Sequence, residues 1–447
     1  MLNKLFSYGN TKTAASVDVV DQTLNRVRQL IHQRMIDSVE SDGIEVLSNL
    51  ESIKDQIQWL LSELENNKGF DFSNEEKEKI EHEIILELDG MGPLAPLMMD
   101  TEVSDILVNG PAEVWIDKHG SLHKTDVQFD NQAHLKRFVD RLLASQGKAL
   151  DSSHPMVDAK LPDGSRVHAV IPPLCNIGTV VSIRRFQQHT QTVEELLAQG
   201  FVSQGVMSLL QLCVESGLNI IISGGASAGK TSLLNQLSAS IPDNDRVITI
   251  EETAELKLRN MHSIPLETRS ANMEGRGEVN LRELLRTALR MRADRIIVGE
   301  VRGAEVFDML QAMNVGHDGS MTTVHANSPV DVISRLETLA LMQTQNFTQL
   351  SIRGMIGSAI QIIVQLTRYS DGTRAISSIC RLKLEQGELK TYPMYTGSRS
   401  PDYNTETRSE QLDEQCALLD EIATKGYDIA EIKSQLVKET KELSSCH

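Results

Sequence analysis

Long apolar runs are missing from this 447-residue chain. No stretch of 18 apolar residues reads as a transmembrane helix, and the opening Met1-Leu2-Asn3-Lys4-Leu5-Phe6-Ser7-Tyr8 lacks the apolar core of a secretory signal. A cytoplasmic location is the expectation. Cysteine is scarce and scattered: Cys175, Cys213, Cys380, Cys416 and Cys446 form no C-x-x-C pair, which argues against a disulfide framework and a zinc site. A large basic excess is missing too. The net charge is −18, with 18 acidic against 4 basic residues between Asp37 and Glu102 and 11 against 5 from Pro401 to His447. Proteins that grip nucleic-acid phosphates usually carry a basic patch, so direct nucleic-acid binding is not expected. The acidic regions read as solvated helical arms or as docking surfaces for basic partners. Internal repeats and low-complexity tracts are absent as well.

What is present is a change of pattern along the chain. Apolar residues from about Val17 to Leu64 recur at helical spacing, and a second helix over Asn74 to Leu88 stops at Asp89-Gly90-Met91-Gly92-Pro93. Short β-type runs follow: Ile106–Val108, Val114–Ile116, Val167–Ile171 and Val180–Ile183, with a helical segment from Ala133 to Ser145. These predict one α+β domain over residues 90–190, closed by a linker at 187–190. From about Gly217 to Leu366 strands alternate with helices, which predicts a mainly parallel sheet covered on both faces. The expected division is 1–89 helical arm, 90–190 α+β domain, 191–400 α/β domain and 401–447 helical tail.

Gly224-Gly225-Ala226-Ser227-Ala228-Gly229-Lys230-Thr231 reads G-x-x-x-x-G-K-T directly after the apolar run Leu218 to Ile222. Strand, glycine turn and helix in that order form a P-loop, whose N–H groups wrap phosphate oxygens. Lys230 then reaches the β and γ phosphates and the Thr231 hydroxyl binds Mg²⁺. A nucleoside triphosphate site is implied.

Cleavage of the triphosphate needs further groups, and each candidate ends a predicted strand. After Val247–Ile250 come Glu251, Glu252 and Glu255; the loop either activates water or simply faces solvent. After Arg295–Val298 comes Gly299-Glu300, where a metal-linked acid belongs. Around Met321–Val324 stand His317 and His325, with Asp318, Thr323 and Asn327, where a γ-phosphate sensor reaches.

With Gly224–Thr231, Ile250–Leu256, Val298–Gly303 and Gly316–Pro329 in order, the chain resembles the secretion ATPases of the type II/type IV superfamily. Met91–Leu97, Val108–Pro111 and Pro155–Val167 resemble in particular the CpaF/TadA branch, which powers tight-adherence (Flp, type IVc) pili. The resemblance covers roughly residues 80–370. It implies a PAS-like N-terminal domain and a RecA-like ATPase domain, with ATP held by Gly224 to Thr231 and Ser232 and sensed by His317. It further implies Mg²⁺ on Thr231 and Glu300, and catalytic roles for Glu251, Glu255, Glu300 and His325.

The same resemblance implies a homohexamer with nucleotide between its two domains. It would work at the cytoplasmic face of the inner membrane on a platform protein, with membrane association through partners. Arg184 and Arg185 are then candidates to close on the phosphates, with Arg269, Arg276, Arg290, Arg292 and Arg302 behind them. A conjugation-type ATPase and a nucleotide-gated scaffold are the alternatives. The sequence departs from the branch at Ala226-Ser227-Ala228, where glycine is commoner, at Glu252 in place of Asp, and at Ala293 in place of a frequent proline.

Overall fold

The computed structural model describes residues 50–68, 72–81, 91–397 and 407–445, except 75, 79, 82–90, 119, 145, 187–190, 261, 273–274 and 343–346, together with Val27, Ile31, Arg34 and Arg399. The linker expected at 187–190, most of the chain before residue 50 and part of the helix expected at 74–88 lie outside these residues. The chain divides into two compact units, Met1–Arg185 and Phe186–His447.

The first unit contains α1 (Leu50–Lys68), whose Ile57, Leu60, Leu61 and Leu64 are buried with Val27, Ile31, Phe72 and Ile80. After the short α2 (Ala95–Met99) come β1 (Val103–Asn109), β2 (Val114–Lys118), β3 (Ser121–Lys124), α3 (Gln132–Ala144), β4 (Met156–Lys160), β5 (Arg166–Val170) and β6 (Val180–Arg184). The six strands form an antiparallel sheet in the order β3-β2-β1-β6-β5-β4. Alternate residues such as Ile106, Val108, Val167, Ala169, Val181 and Ile183 share one buried cluster with Leu135, Phe138, Val139, Leu142 and Leu143 of α3. That alternation is the signature of a sheet with one covered face, and it makes this unit α+β.

The second unit opens with α4 (Val193–Ala198) and α5 (Gln204–Glu215), both begun by hydroxyl caps, Thr192 and Ser203. It continues with β7 (Ile220–Gly224), α6 (Lys230–Ser238), β8 (Val247–Glu251), β9 (Ser263–Glu267), α7 (Leu281–Ala288), β10 (Arg295–Val301) and α8 (Glu305–Asn314). The rest is β11 (Met321–Val324), α9 (Pro329–Leu341), α10 (Gln349–Ala359), β12 (Ile362–Arg368), β13 (Arg374–Glu385), β14 (Glu388–Thr396), α11 (Thr407–Thr424) and α12 (Ala430–Ser445).

Eight strands run in the order β14-β13-β12-β7-β11-β10-β8-β9. The six from β12 to β9 are parallel, and β7, β8 and β11 are buried throughout, as strands covered on both faces must be. With β7 counted first and the edge strand β9 left out of the count, β12 to β8 read 5-1-4-3-2, the order of a RecA-like sheet. β13 and β14 extend it as an antiparallel hairpin. The tail does not stand apart: Leu418, Leu419, Ile422 and Leu436 are buried in the same cluster as Leu233, Leu234 and Leu237 of α6. Gln415 Nε2 donates to the Met394 carbonyl at 2.6 Å, and Tyr427 OH to the Glu215 carbonyl at 2.9 Å.

Candidate active site

The phosphate loop leaves the sheet at Gly224, which pairs with Leu366 of β12. A Cβ at Gly224 would stand 2.8 Å from the Leu366 carbonyl oxygen, so the close approach of the two strands requires glycine. Gly225, Ala226 and Ser227 are exposed, Ala228 is buried, and α6 begins at Lys230 with Thr231 and Ser232 in its first turn. The unpaired N–H groups and positive dipole end of such a helix attract anions. Ser227 has φ +56°, a left-handed conformation that costs a side-chain-bearing residue about 1–2 kcal/mol.

Lys230 is folded back onto the loop. Its Nζ donates to the Gly224 and Gly225 carbonyls at 3.1 and 3.0 Å and lies 3.2 Å from His325 Nδ1. Burial pulls its pKa below the ordinary lysine value; Glu300 opposes that shift and Arg302 adds to it.

Glu300 is aimed by a β-bulge. Val298 pairs with Thr322 and Val301 with Val324, so β10 carries one extra residue there, and bulges re-aim side chains. The Thr323 hydroxyl donates to the Gly299 carbonyl at 2.8 Å and holds the bulge. Arg302 Nη2 donates to Glu300 Oε2 at 2.7 Å, while Glu300 Oε1 lies 2.9 Å from His325 Nε2. The His325 contact is an ion-pair distance and not a hydrogen bond: Oε1 is a buried acceptor with no hydrogen-bond partner among the described residues. Burial raises the Glu300 pKa, but the Arg302 hydrogen bond and the charges of Arg302, His325 and Lys230 outweigh it and hold the carboxyl below its ordinary value.

Glu251 ends β8 and is 4 % exposed. Its Oε1 accepts the N–H groups of Glu255 and Leu256 at 2.9 and 3.1 Å, which ties down the acidic loop. Its Cγ lies 3.0 Å from the place of a Cβ on Gly299. Burial pushes this carboxyl up to about 7, against the pull of those two N–H bonds. Glu252 and Glu255 are exposed, and Glu252 stands 3.4 Å from Arg302 Nη1.

No group of three or more His, Cys, Asp or Glu side chains able to hold a metal occurs among the described residues. Mg²⁺ needs no such group, since it takes one or two protein oxygens and completes its shell with phosphate and water. Glu300 Oε1, an acceptor with no hydrogen-bond partner among the described residues, is an oxygen of the kind that would hold it.

Residues 87–415 match the type II/IV secretion system protein family. The chain belongs to that family. A putative conjugal transfer protein of Mycobacterium tuberculosis is 36% identical over 319 residues, covering 70% of this chain and 90% of the relative. The type IV secretion system protein PtlH of Bordetella pertussis is 31% identical over 306 residues, 62% of this chain and 88% of its own. Among solved structures, the VirB11 ATPase of the Brucella suis type IV secretion system in complex with sulphate is 27% identical, covering 66% of this chain and 97% of that one at a TM-score of 0.35.

In this family member the structure gathers Lys230, His325, Glu300 and Arg302 at the carboxyl ends of the parallel strands. It does not bring His317 there. His317 precedes β11 and so lies at the opposite edge of the sheet from His325, with Nδ1 donating to the Ala293 carbonyl at 2.8 Å. The sequence places one histidine before the Met321–Val324 strand and one after it, and the rise of that strand keeps the two apart. Arg184 and Arg185 belong to the first unit: Arg184 Nε pairs with Asp105 at 3.0 Å, and Arg185 Nη1 donates to the carbonyls of Asp100 and Val103. Of the other arginines, Arg269 donates to the Gly277 carbonyl and Arg292 pairs with Asp294 at 3.8 Å.

Sequence reasoning missed Glu305. Its buried Oε1 accepts the Arg302 and Gly303 N–H groups at 2.6 and 2.7 Å and fixes the turn that delivers Arg302 to Glu300. An acid opening a helix two residues after a glycine was the available signal.

Proposed function

We propose that this chain is an ATP-hydrolysing motor subunit, and that it powers assembly of a tight-adherence pilus or a related secretion step. The observation that carries the reading is the convergence of Lys230, His325 and the unsatisfied Glu300 Oε1 beside an open phosphate loop. Lys230 binds the terminal phosphates, and the Thr231 hydroxyl and Glu300 hold Mg²⁺, which when bound neutralises developing phosphate charge. His325 senses the terminal phosphate from between Lys230 and Glu300. Glu251, with a pKa near neutrality, takes the proton of the attacking water, and Glu255 follows it through the loop they share. Arg184 and Arg185 close on the phosphates when the two units meet in a homohexamer. Such a ring would act at the cytoplasmic face of the inner membrane; none of the described helices is long and apolar enough to cross a membrane.

The tight-adherence assignment is supported by Met91–Leu97, Val108–Pro111 and Pro155–Val167. A conjugation-type role is the second reading, favoured by the name of the Mycobacterium tuberculosis relative. Phosphate release by the purified oligomer with Mg²⁺ tests the motor reading, and its absence in the presence of membrane partners refutes it. Neighbouring prepilin and platform genes support the pilus role; a neighbouring relaxase gene supports conjugation.

A further inference from the structure

The turn between β12 and β13 stands against the phosphate loop. β12 runs parallel to β7 with Leu366 opposite Gly224, so the residues after Leu366 continue past the start of the loop. Leu366 and Ile376 face each other in the β12–β13 ladder, and both belong to the buried cluster that contains Leu233 and Leu234 of α6. They therefore face the side of the sheet that carries α6. The two-residue period of a strand puts Arg368 and Arg374, the next pair in the ladder, on that same side and directly opposite each other. Arg374 Cδ lies 4.0 Å from the place of a Cβ on Gly229, the residue before Lys230.

The turn is stiffened from two directions. Asp371 Oδ1 accepts the Thr373 N–H and hydroxyl at 2.9 and 2.5 Å, and Tyr369 N–H donates to the Thr373 carbonyl at 2.8 Å. Arg399 donates to Asp371 and to the Thr373 hydroxyl at 3.0 and 2.7 Å and lies over the Tyr369 ring. Strand order decides which end of a nucleotide this turn meets. Glu300 and His325 belong to β10 and the end of β11, on one side of β7, whereas β12 lies on the other. With its γ-phosphate toward Glu300, a triphosphate across the loop points its α-phosphate toward β12.

We infer that Arg374, with Arg368 opposite it, is a nucleotide-binding residue that grips the α-phosphate end of a bound nucleoside di- or triphosphate. The inference rests on the nucleotide-binding reading above. Titration of the full chain with a fluorescent ADP and a non-hydrolysable ATP analogue separates the two: a wild-type chain that binds neither, like Lys230→Ala, refutes the underlying reading. Given wild-type binding, Arg374→Ala and Arg374→Gln are expected to raise Kd for both nucleotides by the same factor, roughly tenfold for a lost charge-assisted hydrogen bond. Arg374→Lys stays within about threefold, since the charge remains. A variant that melts like the wild type without nucleotide yet binds ADP equally well overturns the inference, as does a loss confined to the ATP analogue. Phenylglyoxal labelling of the wild type, mapped by peptide mass, needs no variant to fold: ADP should protect Arg374, and unchanged labelling overturns the inference.

Discussion

His325 Nε2 lies 2.9 Å from Glu300 Oε1, and the same ring's Nδ1 lies 3.2 Å from Lys230 Nζ. One imidazole thus links the lysine of the phosphate loop to the bulged glutamate. Burial, then the Lys230 charge, lowers the His325 pKa below its ordinary value, which keeps the ring neutral at pH 7. In the neutral tautomer in which Nδ1 accepts from Lys230, the N–H is on Nε2, on the side of Glu300.

Glu300→Gln is expected to keep nucleotide binding and to lose at least about 10²-fold in turnover, the scale of removing an electrostatic partner of the transferring phosphate. Lys230→Ala should lose binding itself. Phosphate release and nucleotide titration on the same preparations check both, and wild-type turnover in Glu300→Gln removes Glu300 from the mechanism.

Glu251 gives a pH signature. With its pKa raised from 4.5 to about 7, the folded state holds a proton that the unfolded state releases, so its contribution to stability falls as pH rises from about 4.5 to 7 and is constant above. Glu251→Gln should flatten that stretch in denaturant titrations. As the water-activating base, Glu251 should also give single-turnover rates that rise through about pH 7 and level off. An unchanged chemical step in Glu251→Ala ends that assignment.

Gly224→Ala and Gly299→Ala test the two close approaches. The added carbons would meet the Leu366 carbonyl at 2.8 Å and Glu251 Cγ at 3.0 Å. Overpacking of this kind costs about 1–3 kcal/mol. Gly224→Ala, set against rigid backbone, should lower the melting temperature more than Gly299→Ala, which meets a side chain. Ser227→Gly, at φ +56°, should leave the fold intact and nucleotide bound.

Removal of residues 407–447 should destabilise the second unit and not merely shorten it. Leu418, Leu419, Ile422 and Leu436 would leave behind uncovered partners in the cluster shared with α5 and α6. Each such leucine or isoleucine buries roughly 1.5–3 kcal/mol of transfer free energy. A truncated chain that melts at the full-length temperature would contradict this.

The strongly apolar strands were legible from the sequence, because Ile220–Ser223, Val247–Ile250, Arg295–Val298 and Met321–Val324 each carry continuous buried runs, and the observed strands contain them. So was the phosphate loop. The edge strands β3 and β4 were not: Ser121–Lys124 is exposed throughout, and Met156–Lys160 buries only Ala159, so neither stands out as an apolar run. β9 hid behind Pro265, which an edge strand tolerates. In the site, Glu300 was placed by its strand, whereas the bulge that aims it depends on pairing across strands that no local pattern records; Glu305, three residues from the Arg302 N–H it caps, did leave a local signal. His317 is a different case: the sequence shows the strand between it and His325, and Lys230 and Glu300 lie at the His325 end of that strand.

The absence of a side chain at Gly299 has a mechanical meaning. Because the Glu251 side chain fills that space, with its oxygen suspending the backbone of Glu255 and Leu256, the ends of β8 and β10 mesh without slack. A shift of the bulge toward β8 would meet Glu251, and with it the loop that hangs from its oxygen, like a lever on its pin.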